Sequence, residues 1–207
     1  MLTHTARSRG SGRGPGRPRE FDLDQALDKA IRVFRERGYQ AASIGELSAA
    51  MNVTAGSIYK AFADKRAVFL AAFDRYTSLR SAQVRAIAER LGTGRERLRE
   101  LLSFFFDAAR GAEGRRGCLV VGSAVELALH DPIIAARVRA TLDGNAAVLA
   151  ELIRAGHADG SIAPHVDPEA TARLVVCMTQ GMRVVGKAGW TPPETSSTLD
   201  LALKLLG

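Results

Sequence analysis

Two short apolar stripes, each opened by a residue able to cap a helix, lie back to back in the run SIGELSAAMNVTAGSIYKAFADK from Ser43 to Lys65. Ser43 followed three residues later by Glu46 has the form of a capping box. The hydroxyl accepts the N–H of Glu46 and the carboxylate returns to the N–H of Ser43. Ile44, Leu47 and Met51 then fall on one helical face. Asn52 tolerates the left-handed or turn conformation that ends such a helix, and Thr54 is a good N-cap for the next one. Ile58 and Phe62 are spaced to bury in the same small core, which leaves Ala55, Gly56, Ser57, Tyr59 and Lys60 facing outward. Glycine inside a helix costs about 1 kcal/mol relative to alanine. A close approach of the backbone to a phosphate or a base edge is one reason to keep it. The unpaired N–H groups at the start of the second helix favour phosphate, and Tyr59 and Lys65 are natural phosphate contacts, which set register rather than sequence preference. A plain helical hairpin in a larger all-α core has the same local pattern, so the stretch alone leaves both readings open.

The pattern extends upstream. Leu27, Ala30, Ile31 and Phe34 form a stripe ended by Gly38-Tyr39, with the acidic first turn of Asp22 and Asp24 suiting the helix dipole and Phe21 placed as a hydrophobic staple. Taken with Ser43-Ile44-x2-Leu47 and Thr54-x-Gly56-Ser57-Ile58-Tyr59-x2-Phe62-x2-Lys65, this run resembles the N-terminal DNA-binding domain of TetR-type transcriptional repressors over roughly residues 20 to 75. The resemblance implies a three-helix domain whose third helix enters the major groove of double-stranded DNA. It also implies that Ser43, Thr54, Ser57, Tyr59, Lys60 and Lys65 touch DNA, with Ala55 and Gly56 on the same surface.

Charge placement refines this picture. Residues 1–20 hold Arg7, Arg9, Arg13, Arg17 and Arg19 against Glu20 alone, a net +4 of the chain's +7. The helix-turn-helix stretch is close to neutral, so its assignment rests on pattern. The arm itself is Gly, Arg, Ser and Pro without periodicity, a composition expected to be disordered in the free protein. Gly16-Arg17-Pro18-Arg19 resembles the core of an AT-hook, whose arginines lie in a narrow minor groove with enhanced negative potential. A solvated basic tail adding salt-sensitive, non-specific attraction is the alternative.

Other function classes find little support. The 207 residues suit one large domain or a small plus a medium one. With 46% hydrophobic and 25% charged residues the composition is that of an ordinary globular protein. No apolar run approaches the ~18–20 residues that span a bilayer, and the basic N-terminus lacks an apolar core, so no secretory signal or membrane partner is expected. Cys118 and Cys177 make neither a disulfide framework nor a CxxC pair, and the four histidines show no ligand spacing. No metal or cofactor is expected, and a reducing, cytoplasmic compartment is the simplest setting. Glu126, His130 and Asp131 cluster locally but form no nucleophile–base–orienter set, so no enzyme is expected.

After Lys65 the pattern stays helical. Expected are a long helix capped by Asp64 and reaching about Arg90, then one opened by the Thr93/Glu96 capping box and running to about Ala109. A basic Gly-rich loop over 111–117 follows. Further helices span Cys118 to His130, Asp131-Pro132 to about His157, Asp167-Pro168 to Gly189, and Thr191–Glu194 to Leu206. The class is all-α with about nine helices: a basic arm (1–20), a helix-turn-helix domain (21–66) and a larger C-terminal ligand-binding and dimerisation domain (67–207). Small residues Ala172, Gly181, Gly186 and Ala188, with the apolar Leu174, Val175, Met178, Met182 and Val185, fit close helix packing. So do Leu199, Leu201, Ala202, Leu205 and Leu206. The family resemblance implies that these last two helices pair with a second copy in a homodimer that reads a pseudo-palindrome.

The resemblance also implies a ligand pocket, for which Phe105, Met178 and Met182 are candidate lining residues, although aromatic and Met residues at helical spacing also make ordinary core. Glu126 lies in an otherwise apolar run and needs a partner or a ligand if buried. Gly117-Cys118-Leu119-x-Val121, with Gly181 and Lys187 downstream, resembles TetR-type repressors that respond to electrophiles and oxidants through the cysteine with help from the lysine. A thiolate is the nucleophile, and cations or a helix N-terminus lower its pKa. Burial of Cys118 as a small apolar residue is the competing reading, and Cys177, in a dense apolar run, is expected in the core. The expected function is that of a dimeric, sequence-specific repressor released from its operator by a small molecule or by thiol modification. A ligand-independent architectural DNA-binding protein is the alternative.

Overall fold

The computed structural model describes residues 22–190 and 195–204. The arm with Arg17 and Arg19, Phe21, the expected cap over 191–194, and Leu205 and Leu206 lie outside the described residues. All regular structure among the described residues is helical. The first three helices are α1 (Leu23–Arg37), α2 (Ile44–Met51) and α3 (Ala55–Ala61). They are followed by α4 (Lys65–Ala88), α5 (Gly94–Asp107), α6 (Gly111–Arg116) and α7 (Leu119–Glu126), and then by α8 (Pro132–Asp159), α9 (Pro168–Lys187) and α10 (Thr195–Leu203).

Side-chain caps fix most of these boundaries. The Ser43/Glu46 and Thr93/Glu96 capping boxes both form. Asp64, Asp131 and Asp167 cap α4, α8 and α9. Asn52 takes the left-handed conformation, φ 58° and ψ 47°, between α2 and α3. Two expectations change. The segment expected as a loop over 111–117 is the short helix α6, which has no side-chain cap and ends at Gly117. Its glycines conceal it in sequence. In space they let it lie close to other backbone: a Cβ at Gly114, or at Gly186 on α9, would collide with the carbonyl of Ala109. The second change concerns the last helix. Leu199, Ala202 and Leu203 bury in the chain's own core, and α10 packs on α5, leaving Leu201 exposed.

Two apolar clusters organise the molecule. One joins α1, α2 and α3 to the first half of α4, to α7 and to the start of α8, with Phe34, Phe69 and Phe73 at its centre. It continues past residue 66, so the three-helix head sits on a platform supplied by the rest of the chain. The other cluster holds the second half of α4 with α5, α8, α9 and α10. Bidentate pairs bridge the parts: Arg75 of α4 to Asp28 of α1 at 2.7 and 2.9 Å, Arg66 to Asp131 at 2.8 and 3.1 Å, and Arg137 of α8 to Asp74 of α4 at 2.8 and 3.1 Å. The Arg66 guanidinium, helped by the N–H groups that Asp131 caps, holds the Asp131 carboxyl down at about 2. That joint between the starts of α4 and α8 therefore stays charged across the neutral range.

Candidate nucleic-acid interface and sensor cavity

The α2–turn–α3 unit turns a polar, small-residue surface outward. Thr54, Ala55, Gly56 and Lys60 are exposed, Ser57 is half-buried, and Tyr59 is 55% exposed. Ile58 on the opposite face is fully buried and fixes the rotation of the helix. The Thr54 hydroxyl accepts the N–H of Ser57 at 3.1 Å and shares a 2.9 Å hydrogen bond with the Ser57 hydroxyl. A Cβ on Gly56 would meet nothing nearer than the Thr54 hydroxyl oxygen at 3.8 Å, so no internal contact requires glycine there. Ser43 is exposed at the start of α2. Lys65 is placed differently from its expected phosphate contact. Its ammonium donates to the carbonyls of Tyr39 (3.0 Å), Gln40 (3.3 Å) and Ala42 (3.0 Å) and lies 4.5 Å from the Tyr39 ring centroid. All three donors are engaged, so Lys65 holds the α1–α2 turn in place.

That turn is also gripped from the other side. The Glu126 carboxylate, at the end of α7, accepts the N–H of Tyr39 at 2.9 Å and of Gln40 at 2.6 Å. Of the partner or ligand expected for Glu126, the chain supplies a partner in the backbone of the head. Gly38 makes room for it, with φ of 82° and a Cβ position only 2.9 Å from a Glu126 oxygen, so a side chain is disfavoured on both counts. Lys187, expected beside the thiol, donates instead to the carbonyl of Arg35 at 2.6 Å and, more weakly, to that of Arg116 at 3.5 Å. Arg35 in turn donates to the Gly117 carbonyl at 2.8 Å and to Glu113 at 2.5 Å. The C-terminal end of α1 is thus tied to α6, α7 and α9.

Cys118 sits at the centre of these ties, half-buried at the N-cap of α7. Its Sγ accepts a hydrogen bond from the Tyr76 hydroxyl at 3.8 Å. Tyr76 accepts one from Arg183 at 3.2 Å, and Arg183 also donates to the Ala108 carbonyl. Burial raises the thiol pKa. The Arg183 charge, the N–H groups of Val121 and Val120 and the Tyr76 hydroxyl together outweigh burial and bring it below the ordinary thiol value. The cation that acts on the thiol is therefore Arg183, one turn before Lys187. Burial pushes the Tyr76 phenol up to about 12, so it stays a donor.

Two cavities meet at Cys118. The smaller, about 50 Å³, lies among α4, α5, α8 and α9 and is bordered by Phe105. The larger, about 530 Å³, opens between α1, α7 and α9 and is bordered by Glu126 and Lys187. Met178 and Met182 border neither and pack against the C-terminal core. Cys177, expected in the core, is exposed on α9 between Leu174 and Gly181. Sequence reasoning missed Arg183 and Tyr76. A signal existed for the arginine: Ala172, Val175, Val176, Thr179, Arg183 and Gly186 make one buried stripe, and a cation in such a stripe needs partners. Among the described residues no cluster of side chains suits a metal ion, and no helix is long and apolar enough to cross a membrane.

Comparison with known proteins places the geometry. Residues 26–72 match the model described as bacterial regulatory proteins, tetR family, and residues 94–188 match the tetracyclin repressor-like C-terminal domain. The HTH-type transcriptional repressor ComR of Escherichia coli (strain K12) is 29% identical over 178 residues, covering 84% of this chain and 83% of ComR. A cysteine variant of the TetR family transcriptional regulator CifR, solved with 26-base-pair double-strand operator DNA, is 30% identical. That match has a TM-score of 0.79 and covers 91% of this chain and 98% of CifR. The reduced form of E. coli NemR shares the fold, with a TM-score of 0.74 at 18% identity over 88% of this chain and 94% of NemR.

Proposed function

The chain belongs to the TetR family of bacterial regulatory proteins, transcriptional regulators rather than enzymes, and from that premise we propose that it is a dimeric repressor whose hold on a pseudo-palindromic operator is set by the state of its C-terminal domain. The observation that carries the proposal is the outward surface of α3, where Thr54, Ala55, Gly56, Ser57, Tyr59 and Lys60 stand clear of the chain's own core. Ser43 and the N-terminal turns of α2 and α3 add unpaired N–H groups for phosphate, and the arm with Arg17 and Arg19 supplies sequence-independent attraction. The 26-base-pair operator complex of CifR supports the reading.

The dimer face is assigned to α9 together with α8. Leu174, Gly181 and Val184 are exposed along α9, and Ala140, Gly144 and Ala147 along α8, with nothing in the chain near the Cβ positions of Gly144 or Gly181. α10 contributes less than the sequence suggests, because its apolar side chains already close the core of the subunit. Leu174→Asp should therefore convert the dimer to a monomer in sedimentation and weaken operator binding roughly tenfold, since each half-site alone holds fewer phosphates. A dimer that survives the substitution unchanged would remove this face from consideration.

Release operates through the contacts that join Cys118 to the head. A ligand or an adduct between α4, α7 and α9 displaces Lys187 or Glu126 and so shifts α1 and the α1–α2 turn. A coupling on the order of 1–3 kcal/mol changes occupancy several-fold or more. The depressed thiol pKa supports thiol modification as one input, and the two cavities count against the architectural alternative, which expects a packed C-terminal part. Cys118→Ser should abolish release of operator DNA by N-ethylmaleimide, with Cys177 left in place; release at the wild-type level would sink the thiol input.

A further inference from the structure

The smaller cavity beside Cys118 has an unusual charge balance. Arg183 is 6% exposed, its hydrogen bonds run to the Ala108 carbonyl, the Tyr76 phenol and the Cys118 thiol, and it has no carboxylate ion pair among the described residues. Arg80 borders the same cavity, stacked 4.1 Å over the Phe104 ring centroid and making no hydrogen bond or ion pair among the described residues. None of the residues that border the cavity is acidic. Glu113, the carboxylate whose charge acts on both arginines, is committed to Arg35 at 2.5 Å and to Arg116 at 3.4 Å. Asn145 and Gln180 border the cavity as further polar groups with no hydrogen bond among the described residues. Two guanidinium groups facing one small cavity repel each other, and the single Cys118 thiolate balances at most one of them, which leaves a largely buried cation short of counter-charge. A compact anion relieves both, and planar guanidinium groups suit a carboxylate.

We propose that this cavity is an anion site that takes a compact organic carboxylate, held by Arg80 and Arg183 with Asn145 and Gln180 on its polar remainder, beside the Cys118 thiol. The proposal rests on the reading of the C-terminal domain as the sensing part, and it names the chemical class of what is sensed. A simple carboxylate occupies the site reversibly. A carboxylate whose neighbouring carbon carries a leaving group is brought to the sulfur. The Cys118 thiolate attacks that carbon, the S–C bond forms as the bond to the leaving group breaks, the leaving group departs with the electron pair, and the thiol proton goes to solvent.

Iodoacetate and iodoacetamide test this directly. They have the same size, the same reacting carbon and the same iodide leaving group, and differ in one negative charge. Each is reacted with the intact protein in the presence of 2-mercaptoethanol as a free reference thiol, and the Cys118 peptide is quantified by mass spectrometry. The iodoacetate-to-iodoacetamide rate ratio at Cys118 should exceed that of the reference thiol about tenfold, as expected for a positively lined cleft that concentrates anions. The iodoacetate rate should saturate with concentration. Propanoate should slow iodoacetamide at Cys118 and propanamide should not. Arg80→Gln, which removes no hydrogen bond among the described residues, should return the ratio to that of the reference thiol. A ratio equal to the reference in the wild-type protein, or one unmoved by Arg80→Gln, overturns the proposal. No DNA enters the measurement, so its failure leaves operator binding standing. Loss of operator binding with the ratio intact would remove the repressor reading and leave the anion site.

Discussion

Gly56→Leu should weaken operator binding by about two orders of magnitude, roughly 3 kcal/mol, in a fluorescence anisotropy titration, while leaving the folded protein intact. Gly56→Ala should separate the two effects in sign. The Gly56 position is open on the protein side, with the nearest heavy atom 3.8 Å from a built Cβ. Alanine there gains about 1 kcal/mol of helix propensity, so the melting temperature rises by a few degrees. Operator affinity should fall nonetheless, because on the proposed reading a methyl group stands where the α3 backbone approaches DNA. A glycine kept for a reason internal to the fold would show the reverse: lower stability with affinity unchanged. On the proposed reading Tyr59 and Lys60, next on the same surface, contact phosphate, and their loss should act uniformly across sequences and lessen the salt dependence.

Gly94→Val is expected to destabilise the fold by about 3 kcal/mol or more, the upper end of what overpacking costs, and to lower the melting temperature by roughly 10 °C in a calorimetric scan. Gly94 opens α5 where that helix crosses α8 backbone to backbone. A Cβ there would collide with the N–H and Cα of Gly156 and come within 2.6 Å of the Leu152 carbonyl oxygen. These are main-chain atoms that cannot rotate away. On the far side Gly156 is itself pinned, because a Cβ added to it would strike Ile162. The crossing is further locked by side chains at and just beyond the end of α8. Asp159 accepts the Gly94 N–H at 2.7 Å and Ser161 accepts the Arg95 N–H at 3.1 Å. A shift of α5 large enough to fit valine breaks both. Unchanged stability would mean that the two helices do not meet as closely as the backbone geometry requires.

The elements that sequence reveals here are those set by local chemistry. Ser43/Glu46, Thr93/Glu96, Asp64, Asp131-Pro132 and Asp167-Pro168 announce helix starts because each satisfies orphan N–H groups within three or four residues of itself. Asn52 announces the turn for the same local reason. What sequence conceals is set by contacts distant along the chain. The helix α6 has no side-chain cap and a glycine-rich composition; it forms because Gly114 and Gly186 allow main chains to meet near Ala109, which is far from Gly186 in sequence. Glu126 reads as a polar intruder on an apolar helix, and its partners, the N–H groups of Tyr39 and Gln40, lie 87 and 86 residues away. Lys65 carries the signature of a DNA contact in the resembling family, yet three carbonyls that close the α1–α2 turn surround its ammonium. Cys118 was visible through its helix N-terminus, whereas Arg183 was visible only as a cation at a core position, a signal that names a need and not a partner. In each case a charged residue assigned to an external ligand hydrogen-bonds the chain's own backbone at the joint between head and C-terminal domain. On the proposed reading that joint couples a cavity at Cys118 to α3.

The central claim is that two such heads, held by one α8–α9 face, read a symmetric site together. A hydroxyl-radical footprint of the purified protein on fragments it selects from genomic DNA tests it most directly. The expected record is two protected half-sites of inverted sequence on one face of the duplex, their centres about one helical turn apart, ~34–36 Å, both lost together when Leu174→Asp replaces the wild-type chain. Continuous protection without an inverted repeat, unchanged by that substitution, would contradict it.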